Sequence, residues 1–172
     1  MTSAADSSMR GSSVTAVLAL GANLGDRLAA LQGAIDELQD HDCVDVRGVS
    51  RVYSTEPVGG PEQLDYLNAA VLVDTTLTPL ELLDLAHRIE SIWNRTREIR
   101  WGPRTLDVDL IRVGDVVMDT EILTLPHPRA LERAFVCIPW ADVEPDLDLP
   151  DLPADGVQST DFRLSIPPRP AP

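Results

Sequence analysis

Arg100-Trp101-Gly102-Pro103-Arg104-Thr105-Leu106-Asp107-Val108-Asp109-Leu110-Ile111 falls into two halves. The first sets two arginines and a tryptophan around a Gly-Pro break, and the second alternates acid with aliphatic. Successive side chains of a strand point to opposite faces. Leu106, Val108 and Leu110 therefore share one face, toward a core, while Asp107 and Asp109 stand side by side on the other. At a rise of ~3.3 Å per residue the two acids lie ~7 Å apart along the strand. Oxygen ligands without a histidine or cysteine cluster favour Mg2+ over zinc. An exposed D-x-D is by itself more often a solvated face. The neighbouring arginines argue for more, because guanidinium forks fit phosphate and hold it in orientation.

Outward from this strand, the rest of the chain supplies its partners. Val14 to Leu20 reads as a buried strand, Gly21 to Asp26 as a tight turn, and Arg27 to Asp40 as an amphipathic helix with Leu28, Leu31, Ile35 and Leu38 on one stripe. Val44 to Tyr53 is a β-branched strand with a bulge at Gly48. Ser54 to Gln63 is a loop long enough to be functional. In the strand Asp65 to Thr75, Leu67, Ala69, Val71 and Val73 make a core face, and Tyr66 and Asn68 begin the other. Thr78-Pro79-Leu80-Glu81 is a capping box that starts a helix running to about Asn94, with Leu82, Leu83, Ala86, Ile89 and Trp93 buried. The order β-α-β-β-α-β is that of a ferredoxin-like α+β core, an antiparallel sheet with both helices on one face. Asp107, Asp109, Tyr66 and Asn68 then look into an open groove, roofed by the loops Ser54–Gln63 and Asn94–Pro103.

Beyond the core, Val116 to Leu125 suggests short extra strands, Pro126-His127-Pro128 a rigid corner, and Ala134 to Val143 a C-terminal helix. Residues 1–13 read as a disordered leader, 14–150 as a single catalytic domain, and 151–172 as an irregular tail, partly disordered at its end. Seven of the fourteen prolines lie from Pro145 onward, which is why the tail is not assigned regular structure.

At 172 residues the chain is long enough to bury one substantial core. No apolar run approaches the ~20 residues of a membrane span, and the polar opening is no signal peptide, so a cytoplasmic protein is expected. Cys43 and Cys137 are far apart and read as two buried thiols. A net charge of −14 excludes a general nucleic-acid binder, which needs a basic footprint. All 14 basic residues are arginine. Walker A NTPases, protein kinases with the usual ATP site and pyridoxal-phosphate enzymes all need a lysine, so those classes fall away. Any triphosphate must be neutralised by arginine and metal. Five of the fourteen arginines, Arg88, Arg95, Arg97, Arg100 and Arg104, crowd into seventeen residues beside the acid pair.

His41 reads as a surface residue ending a helix and His87 as structural, while His127, held between two prolines, suits donation to a phosphate. Tyr66 and Phe135 are candidates to stack on a flat heterocycle, with core packing the commoner use of Phe135. On these residues alone two other readings stay open: a non-catalytic ferredoxin-like module, and another Mg2+-dependent nucleotide transferase.

The quoted stretch resembles the signature of the 6-hydroxymethyl-7,8-dihydropterin pyrophosphokinase family. The resemblance covers roughly residues 14 to 146. It includes Leu20-Gly21-Ala22-Asn23-Leu24-Gly25, Asp65-Tyr66-Leu67-Asn68-Ala69-Ala70, Arg88-Ile89-Glu90 and Leu125-Pro126-His127. It implies a monomer that uses ATP as co-substrate with two Mg2+ ions, transfers pyrophosphate to the pterin hydroxymethyl group and releases AMP. By the same resemblance Asp107 and Asp109 hold the metals, and Arg95 and Arg104 engage the transferring phosphates. Glu90, Arg97, Trp101, Arg104, Thr124 and His127 belong to the ATP side. Thr55, Val58, Tyr66, Asn68, Trp101, Arg133 and Phe135 belong to the pterin side, with Tyr66 and Phe135 sandwiching the ring. Pro128, Ala22 and Glu98 depart from the family's usual residues, and the arginine loop is one residue short.

Overall fold

The antiparallel sheet at the centre of the computed structural model is built around one long strand. Residues 12–57, 64–94, 105–154, 156–169 and 171 are described. Strands β1 (Val14–Ala22), β2 (Val44–Val49), β3 (Tyr53–Thr55), β4 (Tyr66–Thr75) and β5 (Asp107–Val113) form the sheet with helices α1 (Arg27–Asp40) and α2 (Pro79–Trp93). Two short strands, β6 (Met118–Asp119) and β7 (Thr124–Leu125), make a hairpin; α3 (Ala134–Val143) and β8 (Val157–Ser159) complete the chain. The sheet runs β5-β1-β4-β3-β8, with β2 also on β4. That is the expected ferredoxin-like arrangement.

β4 carries β1 along one edge and both β2 and β3 along the other. β2 and β3 are therefore one strand broken at residues 50–52. Ser50 bridges the break: its backbone N–H donates to the Ala70 carbonyl (2.9 Å) and its Oγ accepts from the Ala70 N–H (2.8 Å). The register also slips between Val46 and Gly48, the expected bulge. β1 runs two residues further than expected, to Ala22, because Gly21 and Ala22 still pair with Asn68 and Leu67.

The helices start where the sequence says they should. Asp26 caps α1 by accepting from Ala29 N–H, and Thr78 with Glu81 closes a reciprocal capping box on α2. Capping satisfies backbone donors that the first turn leaves without a partner. Leu18, Leu20, Leu31, Ile35, Leu38, Leu82 and Ile89 are fully buried between these helices and the sheet.

The opposite face is not open along its length. α3 packs there over Val17, Leu72 and Ile111, with Val136 and Trp140 inside a second, smaller core. Those three apolar residues sit on the face expected to be uncovered, and an apolar helix follows them in the chain; burying both surfaces together is the favourable outcome. Polar clamps hold α3 in place. The Tyr53 hydroxyl (2.6 Å) and the Arg51 N–H (3.1 Å) both donate to Asp142, and Arg112 pairs with Glu144, which also accepts from the Trp140 indole (2.7 Å). Among the described residues, what α3 leaves over is a cavity at the end of the sheet that carries Asp107, Asp109, Tyr66 and Asn68.

The stretch expected to be an irregular tail is docked where it is described. β8 adds to the free edge of β3, and residues 160–169 run back past α1 to β2. Among the described residues, no helix is long and apolar enough to cross a membrane. Cys137 is buried, its thiol pushed up by that burial, whereas Cys43 is only half-buried.

Candidate active site

Antiparallel register lines up the site across four strands. Asp107 lies opposite Gly21, Gly21 opposite Asn68, and Asn68 opposite Tyr53. Asp109 lies opposite Ala19 in the adjoining row, and Thr55 opposite Tyr66. With glycine and alanine opposite the two acids, the floor between the carboxylates and Asn68 is low. A Cβ on Gly21 would come within 3.2 Å of Asn68 Oδ1, so glycine is what leaves the amide its place. Asn68 is buried and its Nδ2 donates to Thr55 Oγ1 (2.7 Å), which fixes the amide's orientation.

Above this floor is a cavity of about 480 Å³. Asp107 and Asp109 line one part, and Thr55, Tyr66, Asn68 and Phe135 another, with Arg129 and Arg133 at the rim. The Arg133 guanidinium lies over the Phe135 ring, 5.6 Å from its centre, a cation–π contact that orients the ring face. Flat aromatic and amide surfaces at one side and paired carboxylates at the other suit a molecule with an aromatic head and an anionic, metal-bridged tail.

Side chains from α2 and its C-cap hold the start of β5. Asn94 both donates to the Leu106 carbonyl (2.7 Å) and accepts from the Leu106 N–H (3.1 Å), and Glu90 accepts from the Val108 N–H (2.8 Å). Asp107 is thus held between two anchored neighbours. Burial raises the Glu90 pKa, the Val108 hydrogen bond partly offsets this, and the charges of Asp107 and Asp109 add to the rise. On the same side, the His127 backbone N–H donates to the Ile111 carbonyl (2.8 Å). Its ring pKa is lowered by burial, with Asp109 pulling it up and Arg133 and Arg129 pushing it down. His127 Nδ1 accepts from the Arg129 N–H (3.2 Å), so the neutral ring carries its proton on Nε2.

A family model described as 7,8-dihydro-6-hydroxymethylpterin-pyrophosphokinase (HPPK) matches residues 17–145. The chain belongs to the HPPK family. It is 47% identical over 128 residues to the 2-amino-4-hydroxy-6-hydroxymethyldihydropteridine pyrophosphokinase of Bacillus subtilis, covering 74% of this chain and 77% of that one. It is 44% identical over 132 residues to the enzyme of the same name from Methylorubrum extorquens, covering 77% and 84%. The bifunctional protein FolKE of Lactococcus lactis is 45% identical over 125 residues, but the match spans only 36% of its length. Among solved structures, a Plasmodium falciparum HPPK-DHPS shares the fold with a TM-score of 0.64 at 15% identity, over 84% of this chain and 44% of that chain. As an HPPK, the protein is a diphosphotransferase that acts on a hydroxymethyldihydropterin in folate biosynthesis, with ATP as co-substrate.

Of the residues that the HPPK resemblance singled out, Thr55, Tyr66, Asn68, Asp107, Asp109, Arg133 and Phe135 line one cavity. Glu90 and His127 are outside its lining; Glu90 feels the charge of both acids and His127 that of Asp109. Thr124 pairs with Asp119 in the β6–β7 hairpin and does not line the cavity. Val58, Arg95, Arg97, Trp101 and Arg104 lie outside the described residues, as do most of both expected roofing loops. His41 does cap the end of α1, whereas His87 is exposed on α2 and not structural. Gly21 and Arg129 were missed. In the sequence Gly21 signals only a turn, and the strand register alone shows it between Asp107 and Asn68. Arg129 stands four residues before Arg133, a spacing that was there to be seen.

Proposed function

We propose that this cavity is where pyrophosphate passes from ATP to the hydroxymethyl oxygen of the dihydropterin, with residues 14–150 as the catalytic unit. The observation that carries the reading is the single cavity joining Asp107 and Asp109 to Thr55, Tyr66, Asn68 and Phe135. The pterin lies between Tyr66 and Phe135, its polar edge against Asn68 and Thr55, with Val58 and Trp101 also contacting it. Because Asn68 spends one amide hydrogen on Thr55, its remaining donor and its carbonyl are held for the heterocycle.

Two adjacent carboxylates with no third acid, histidine or cysteine grouped with them among the described residues fit Mg2+, which takes one or two carboxylates and completes its shell with water and substrate phosphates. Asp107 and Asp109 would hold two such ions. When bound, the ions neutralise the triphosphate and acidify the attacking hydroxyl. The chain's own residues then position and neutralise, as phosphoryl-type transfer requires. Arg95, Arg97 and Arg104 engage the phosphates. His127 offers the Nε2 proton of a neutral imidazole, and Glu90 keeps the acid-bearing strand in register. Trp101 and Thr124 complete the ATP side. The partners are ATP and the pterin alone; the protein works as a cytoplasmic monomer and touches neither nucleic acid nor membrane.

Incubation with ATP, Mg2+ and reduced hydroxymethylpterin, followed by separation of the nucleotides, tests this. AMP should form in step with the pterin diphosphate. ADP as the product would overturn the reaction, and undiminished turnover without Mg2+ would overturn the metal assignment.

A further inference from the structure

The family match ends at residue 145, yet residues 156–169 are fastened to the protein at successive points. β8 pairs with β3, setting Val157 opposite Thr55, Gln158 opposite Ser54 and Ser159 opposite Tyr53. Backbone bonds bracket the ladder, from Glu56 N–H to the Gly156 carbonyl (3.3 Å) and from Thr160 N–H to the Val52 carbonyl (3.1 Å). The Thr160 hydroxyl also donates to Val52 (2.7 Å) and accepts from the Phe162 N–H (3.2 Å). Further on, Gln32 makes a reciprocal pair with the backbone of Ser165 (2.8 and 3.0 Å), and Gln39 donates to the Pro167 carbonyl (3.2 Å). Arg169 closes the run on the Val44 carbonyl and on Asp45 (3.5 Å).

The strand thus secured is the least self-sufficient wall of the cavity. β3 has three residues and meets only Tyr66 to Asn68 of β4. An edge strand that short opens readily, because few contacts resist local unfolding. It nevertheless carries Thr55, whose hydroxyl fixes the Asn68 amide, and it runs directly into Glu56 and Pro57 of the cavity lining. Asp107 and Asp109 stand on β5, with β1 and β4 between them and β3.

We infer that residues 156–169 are a positioning strap for the pterin-binding wall: β8 turns β3 from an edge strand into an internal one and so holds Thr55 and Asn68 for the heterocycle, without acting on the metal-binding end. This rests on the reading that the dihydropterin occupies the Tyr66–Asn68 part of the cavity.

Gln158 is exposed and sits at the centre of the ladder, so Gln158→Pro removes a ladder donor and Gln158→Ala keeps it. In the 172-residue chain, Gln158→Pro should raise the pterin KM about tenfold, the order of one to two net backbone hydrogen bonds. The ATP KM should stay where it is, and Gln158→Ala should change neither. An unchanged pterin KM, or an equal rise in both, overturns the strap. Should Gln158→Pro not fold, the unmodified chain still decides. With Mg2+ and a non-hydrolysable ATP analogue already bound, adding the pterin should slow amide exchange at Gln158 and Thr160; no slowing overturns the inference. Absence of pterin-dependent AMP formation by the unmodified chain would instead sink the functional reading itself.

Discussion

Asp109 is exposed and Asp107 half-buried at the start of β5, and replacing each carboxylate by its amide should lower activity more than stability. Asp107→Asn and Asp109→Asn should each lower turnover by on the order of 10²–10³-fold, the range for deleting one electrostatic stabiliser of a transition state. The thermal midpoint of Asp109→Asn should match the parent or exceed it, since Glu90 is relieved of a like charge. A midpoint that falls with activity would mark that acid as structural. His127 gives a pH test. Its folded pKa lies below the ordinary 6.5, chiefly through burial. The folded ring therefore binds its proton later than the unfolded one as pH drops. The stability it contributes is complete above about pH 6.5 and is lost as pH falls through the folded value. The midpoint difference between the parent and His127→Gln, followed by calorimetry, should be flat near pH 8 and shrink on acidification; a difference that grows would overturn the assignment. At this scale the sequence was most legible where chemistry and alternation coincide, as at Asp107, Asp109, Tyr66 and Asn68. It was silent on Gly21, whose part is to be small, because only the strand opposite says what smallness permits.

Among the elements, α1 and α2 meet at a contact that no periodicity shows. A Cβ on Gly33 would lie 2.1 Å from Trp93 Cζ2 and 2.6 Å from Cε2, so the indole rests on bare backbone. A mid-helix glycine costs about 1 kcal/mol relative to alanine, and here the close approach explains its presence. Gly33→Ala would gain that propensity but must displace the ring, and overpacking of this kind costs about 1–3 kcal/mol. The thermal midpoint should fall by a few degrees, roughly 2–4 °C per kcal/mol for a chain this size, with a shift in tryptophan emission. A rise in midpoint would show that Trp93 is free to move. Helix starts and strand order were readable because caps and hydrophobic periods are local signals. The seat of α3 was not, since a helix apolar on most sides names no preferred face. Leu72 and Ile111, large and apolar on the supposedly open side, were the available hint.

For the molecule as a whole, a net charge of −14 makes self-repulsion a standing cost of the compact state. Raising NaCl from 50 to 500 mM should therefore raise the thermal midpoint, as screening shortens the reach of each charge; a decrease would mean that the surface ion pairs outweigh the repulsion. The docked tail lies at this scale too. Its prolines announced irregular backbone truthfully, but irregular did not mean loose, because hydrogen bonds from Gln32, Gln39 and Thr160 are long-range partnerships that composition cannot express. Asn94, the cap of α2, and Leu106, just before β5, are joined by a reciprocal pair of buried bonds. The bonds lock the end of the helix to the start of the strand, so the register of β5 is set by α2 directly. Helix and acid-bearing strand therefore behave as one welded bracket, and a disturbance at either end reaches Asp107 through the same two bonds.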